Sequence, residues 1–143
     1  MKIVLAADHG GFELKESIKE HLIKRKIEYI DLGTDSDESV DYPIYGQLCG
    51  EAVMAGRGDR GIVCCGTGIG ISISANKVHG IRCALVTNSF MAEMCRKHND
   101  ANILALGGRV LDEEEALKLV DIWIDTEFEG GRHKRRVDML NSM

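Results

Sequence analysis

The stretch from Gly61 to Asn76, GIVCCGTGIGISISAN, constrains this chain more than any other. Ile62-Val63-Cys64-Cys65 is a short apolar, β-branched run that stops abruptly at Gly66-Thr67-Gly68-Ile69-Gly70. Such a run reads as a buried strand, and alternating glycines read as a tight turn. Ile71 to Ala75 then start a helix whose first N–H groups point back at the turn. Glycine lets backbone approach a ligand, and a helix N-terminus carries partial positive charge, so the turn suits an anion. Glycines serving only a tight turn are the plainer reading. Three of them in five residues, with Thr67 between, favour an anion site. The spacing matches neither the G-x-G-x-x-G of dinucleotide folds nor the phosphate loop of NTPases.

On either side of this stretch, strand and helix patterns alternate. Lys2–Ala7 reads as a buried strand closed by Asp8-His9-Gly10-Gly11, and Leu14, Ile18 and Leu22 mark a helix. Residues 27–32 alternate like a half-buried edge strand. After a polar loop, Pro43 opens a helix with Tyr45, Leu48, Cys49, Ala52 and Val53 on one face. Residues 82–86 are a strand, and Asn88 or Ser89 caps a helix carrying Phe90, Met91, Met94, Cys95 and His98. Residues 103–106 form the last strand. Asp112 with Glu115 makes a capping-box-like start for a helix burying Ala116, Leu117, Val120, Trp123 and Ile124. Gly130-Gly131 precedes a basic helix over residues 132–140.

This alternation predicts an α/β fold, because parallel strands need crossovers that are usually helical. The expected architecture is a three-layer α/β/α sandwich around a doubly wound, five-stranded parallel sheet of the Rossmann or flavodoxin kind, forming one domain over residues 1–143. Ligands of such sheets bind beyond the carboxyl ends of the strands. Asp8-His9, Cys65-Gly66-Thr67, Thr87-Asn88 and Gly107-Gly108-Arg109 all fall there, which concentrates chemistry on one edge.

Cys64 and Cys65 should face opposite sides of a regular strand. Cys65, last before the turn, would lie near unpaired N–H groups that favour a thiolate, either as nucleophile or as base. Cys49, Cys64, Cys83 and Cys95 read as small buried hydrophobes. The five histidines show no zinc-ligand spacing. His21 and His79 read as surface residues, and spacing alone leaves His9 and His98 equally structural or catalytic. The run Arg132-His133-Lys134-Arg135-Arg136 reads by default as a solvated face. Arg132 and Arg136, however, share a helical face and could clamp a phosphate. A net charge of −5 points to a small anion rather than a nucleic acid. No apolar run reaches the ~18 residues of a membrane span. The five cysteines form no C-x-x-C pair and follow no apparent secretion signal, so a soluble cytoplasmic protein with reduced thiols is expected.

Asp8-His9-Gly10-Gly11, Asp41-Tyr42-Pro43, Cys65 to Gly70, Ala75-Asn76-Lys77, His98 to Asn102 and Gly130-Gly131-Arg132-His133, in this order, resemble the ribose-5-phosphate isomerase type B family. That family includes the galactose-6-phosphate isomerase subunits. The resemblance implies a homodimer, which could pair into a tetramer, with active sites at the subunit interface. It also implies interconversion of ribose 5-phosphate and ribulose 5-phosphate without metal or other cofactor. Cys65 would then be the base moving a proton between C2 and C1. His98 would assist ring opening with Asp8 nearby, and Thr67 would shuttle protons on the two oxygens. The amides of Gly66, Thr67, Gly68, Ile69 and Gly70 would hold the enediolate. His9, Arg109, Arg132 and Arg136 would bind phosphate, with Asn99 and Tyr42 shaping the sugar pocket. Ser74 stands where many relatives have alanine. The His-Asn-Asp run and the Gly-Gly-Arg-His segment favour the pentose over a six-carbon phosphate such as allose 6-phosphate or galactose 6-phosphate. A non-catalytic phosphate- or nucleotide-binding module on the same fold is the alternative of a different class.

Overall fold

The computed structural model describes all 143 residues. In chain order the elements are β1 (Lys2–Ala7), α1 (Phe12–Lys24), β2 (Glu28–Asp31), α2 (Tyr42–Met54), β3 (Arg60–Cys65) and α3 (Ile69–Asn76). They continue with β4 (Cys83–Leu85), α4 (Ser89–Lys97), β5 (Ile103–Gly107), α5 (Glu113–Asp125) and α6 (Arg132–Asn141). Every strand pairing is parallel, and the sheet runs β2-β1-β3-β5-β4. This is the three-layer α/β/α fold read from the sequence, with one refinement. A flavodoxin sheet runs 2-1-3-4-5; here the last two strands are exchanged. The exchange matters for function, because it sets β5 directly beside β3 and pairs Gly107 with Cys65.

The period of two along each strand divides the core between the two faces of the sheet. Ile3, Leu5, Ile62, Cys64, Leu104 and Leu106 face α1, α4 and α5, where Leu14, Ile18, Leu22, Ala92, Leu119 and Trp123 meet them. Val4, Ala6, Val63, Cys65, Ile103 and Ala105 face α2 and α3 through Cys49, Ala52, Ile71 and Ala75. The two adjacent cysteines therefore point into different layers, as strand geometry requires. Pro43 sits in the first turn of α2. Asn88 caps α4 by accepting from Met91 N at 2.9 Å, and Asp112 caps α5 by accepting from Glu115 N at 2.8 Å.

Two helix faces differ from the apolar pattern. On α2, Leu48 is exposed, and the inward residues are Gly46, Cys49, Gly50 and Ala52. The reason is close helix packing: a side chain on Gly46 would collide with Ser74 Oγ on α3. On α4, Phe90 is 71% exposed, and Ala92, Cys95 and Arg96 turn inward instead. The Arg96 guanidinium is accommodated there because it donates to Asp100 Oδ1 and Ala101 O, each at 2.8 Å, and to Thr126 O at 3.2 Å. On α5, Leu119 is fully buried and Leu117 only partly. No helix is long and apolar enough to cross a membrane.

Candidate active site

Cys65 ends β3 almost fully buried, and its Sγ accepts the backbone N–H of Gly68 at 3.1 Å. The turn closes this way because Gly68 adopts φ +80°, a left-handed conformation that glycine takes without strain. Any side chain there would also strike Leu85 and the backbone of Leu106. Thr67 Oγ1 accepts Ile69 N at 3.2 Å, so the hydroxyl is held at the mouth of the turn. The next N–H groups, those of Gly70 and Ile71, belong to the first turn of α3, where no intrahelical acceptor exists. An N–H donated to sulfur strengthens as the sulfur becomes anionic. Burial pushes the Cys49 thiol up to about 12 and Cys95 up to about 11, and raises Cys64 and Cys83 as well.

Three further segments converge on this turn. Because β5 lies beside β3, Gly108 N donates to Cys65 O and Arg109 N donates to Gly66 O, each at 2.9 Å. These bonds lay the Arg109 guanidinium over Gly66 and against Gly10 of the β1 loop, where a Cβ on either glycine would crowd it. The Tyr42 ring, at the start of α2, covers Gly70 in the same way. After β1, the buried Asp8 carboxylate accepts Gly11 N at 3.1 Å and fixes the loop. His9 Nδ1 accepts Val40 N at 3.1 Å, so the neutral ring carries its proton on Nε2. Asp8, His9, Tyr42, Cys65, Gly66, Thr67, Gly68, Ile69, Gly70 and Arg109 thus occupy one edge of the sheet.

His98, Asn99, Arg132 and Arg136 do not join them within one chain. His98 caps the carboxyl end of α4, and the segment after it runs into the start of β5, where Asn102 O accepts Gly61 N at 2.9 Å. Gly61 and Cys65 are four residues apart on β3, so the two edges lie about 13 Å apart across a packed core. Helix α6 belongs to the far edge. His133 stacks on His98 with ring centroids 4.2 Å apart, Glu129 N donates to Lys97 O, and Asn141 Oδ1 accepts from Arg82. Arg132 and Arg136 stand exposed on α6, whereas Lys134 beside them pairs with Asp138 at 2.7 Å. The concentration of chemistry on one edge therefore holds for the strand-end loops and fails for the basic helix. The reason is direction: a crossover helix starts at the carboxyl edge and returns to the amino edge, and His98 lies at its return.

Each half is open. A groove of about 410 Å³ between α2 and α3 and another of about 620 Å³ between α4 and α5 both miss Cys65 and the glycine turn. No three His, Cys, Asp or Glu side chains gather as a metal-binding group. The sequence patterns assigned His133 no role of its own beyond its place in the basic run and in the Gly-Gly-Arg-His segment. The available signal was its spacing from Val137, since these two are the buried residues of an otherwise exposed helix.

A sequence model of the family described as Ribose/Galactose Isomerase matches residues 3–140. The chain belongs to this ribose/galactose isomerase family. Among its relatives, ribose-5-phosphate isomerase B of Escherichia coli K12 is 46% identical over 142 residues, covering 99% of this chain and 95% of its own. Two solved members of the family superpose closely. Ribose-5-phosphate isomerase B of Clostridium thermocellum gives a TM-score of 0.98 at 58% identity, over 99% of this chain and 96% of that one. The Mycoplasma genitalium enzyme, solved with bound ribulose 5-phosphate, gives 0.93 at 40% identity, over 99% and 94%.

Proposed function

We propose that this protein is an aldose–ketose isomerase that interconverts D-ribose 5-phosphate and D-ribulose 5-phosphate, with Cys65 as the general base. The observation that carries the reading is the Cys65 sulfur held 3.1 Å from Gly68 N inside a turn whose neighbouring amides are free to bind a second anion. In the open-chain aldose, Cys65 takes the proton from C2, and the C–H electron pair becomes the C1=C2 bond as negative charge moves to O1. The turn amides not already given to Cys65 Sγ or Thr67 Oγ1, that of Gly70 among them, stabilise that oxyanion; one such donor is typically worth about 3 kcal/mol. Thr67 relays the O2 proton to O1, and the protonated thiol returns a proton to C1, which leaves the ketone at C2. His9 Nε2–H and Arg109 stand at the same half-site, ready to donate to the substrate's phosphate.

The remaining groups come from a second copy. Arg132 and Arg136 are a phosphate clamp on the opposite edge from their own Cys65, and His98 and Asn99 share that far edge. A homodimer that apposes unlike edges would place each basic helix over the partner's glycine turn. The surface beside the turn suits such burial, because Tyr42, Ile44, Leu48, Ile69 and Ile73 are all exposed on α2 and α3. His98 then reaches the sugar ring oxygen and assists ring opening before the Cys65 step.

The test is isotopic. Incubation with ribose 5-phosphate in deuterated water should place solvent deuterium at C2 of the recovered aldose and produce ribulose 5-phosphate. A protein that binds the sugar phosphate but leaves C2 unlabelled and forms no ketose is a binding module, and the proposal fails.

A further inference from the structure

The basic helix turns one polar residue inward. Arg132, Lys134, Arg135 and Arg136 are exposed, whereas His133 is buried with Val137 on the opposite face. Its imidazole lies flat on that of His98, with centroids 4.2 Å apart and planes inclined by 12°. His98 is the last residue of its helix turn, so no further turn of its own helix follows to brace its ring. The stack is an aromatic contact to that ring from outside its own helix.

We propose that His133 is the positioning residue for His98, a stacking platform that fixes the plane of the His98 ring. The inference rests on the isomerase reading above, in which His98 acts on the sugar ring.

Two parallel imidazoles at this distance repel when both are charged. The groups facing His133 favour its neutral form. They are His98 from α4, Arg132 and Arg136 from its own helix, and Glu129 from the preceding segment. Burial, then His98, then Arg132 push the His133 imidazole below its ordinary 6.5, and only Glu129 opposes them. A neutral ring beneath His98 offers its π face, which tolerates a proton above it. The same helix thus presents the phosphate clamp outward and the histidine brace inward. Binding phosphate and orienting the ring-opening group become consequences of one docking event.

Two substitutions separate positioning from simple support. His133→Ala removes the stack; kcat should fall about tenfold, part of the range that a well-placed acid–base group contributes, while KM stays within about twofold because Arg132 and Arg136 remain. His133→Phe keeps a flat ring that cannot be protonated and should restore kcat to within about threefold at neutral pH. Full kcat in the alanine variant, a loss confined to KM, or a phenylalanine variant as slow as alanine would each overturn the assignment. A second readout does not need turnover. In a proton-NMR titration, His98→Phe should move the His133 midpoint upward, since a charged neighbour has gone; an unmoved midpoint rejects the coupling. If the wild-type protein shows no isomerisation, the functional reading fails, and the titration still judges the pair on its own.

Discussion

At the scale of single residues, the site depends on where one sulfur and one amide are held. Cys65 differs from its neighbour Cys64 by a single step along β3, yet that step moves it from the α1–α5 layer to the end of the strand beneath the glycine turn. Cys65→Ala should lower kcat by about 10²- to 10⁴-fold, the usual contribution of a general base, while sugar-phosphate binding measured by calorimetry persists. Near-normal turnover would remove Cys65 from its role. Gly68→Ala acts on the other partner. A φ of +80° and the contacts with Leu85 and Leu106 make any side chain strained there. The expected cost is about 1–3 kcal/mol of stability, together with a loss of kcat as the N–H turns away from sulfur. An alanine variant with wild-type melting and turnover would show that the turn tolerates what its geometry forbids.

Elements are tied together at the scale above by buried polar contacts. Lys15 of α1 is almost wholly buried, and its ammonium donates to both carboxylate oxygens of Asp31 at the end of β2, at 2.7 and 2.8 Å. Lys19 joins at 2.9 Å, and Gly33 N donates to the same carboxylate at 2.9 Å. Burial alone would raise the Asp31 carboxyl, but Lys15, Lys19 and the Gly33 amide outweigh it and hold the group below its ordinary 3.8. A carboxyl with a depressed folded pKa adds stability that is complete above the ordinary value and disappears as pH falls through the folded one. Acid unfolding should therefore lose this contribution below pH 3.8. Asp31→Asn leaves the buried Lys15 ammonium with only the longer 3.3 Å contact to the more exposed Glu16 carboxylate and should cost about 3–5 kcal/mol, whereas Lys15→Met, apolar and of similar length, should cost less. Equal losses in urea melts, or a larger one for Lys15→Met, would contradict this account. The contact also has a functional reach, since the loop that leaves β2 just after Asp31 carries Val40, whose N–H fixes the His9 tautomer.

The whole molecule carries its candidate residues on two opposite edges, the glycine turn at one and the basic helix at the other. A dimer that joins unlike edges has two equivalent composite sites under twofold symmetry. Mixing tests this directly. Cys65→Ala and His98→Asn should each be nearly inactive as pure proteins. Co-refolded in equal amounts they should recover about a quarter of wild-type activity, because half the dimers are mixed and each has one intact site. A mixture as inactive as its components would mean that each chain builds its site alone. Light scattering should give twice the chain mass at concentrations where the enzyme is active.

Much of this protein was legible in the chain itself. Periods of two and of three to four, stopped by glycine and proline, are local properties, so five strands, their crossover helices and the caps at Asn88 and Asp112 could be read directly. The Cys65 turn was legible for the same reason: strand end, glycines and helix start are contiguous. Contacts between distant segments were not. The placement of β5 between β3 and β4, the laying of Arg109 over Gly66, the rotation of α2 that exposes Leu48 and the stacking of His133 on His98 depend on which segments meet. The sequence named the candidate residues, because chemistry belongs to side chains. Only the tertiary structure showed that they divide between two edges of one chain, because direction and distance exist only once a parallel sheet has been built.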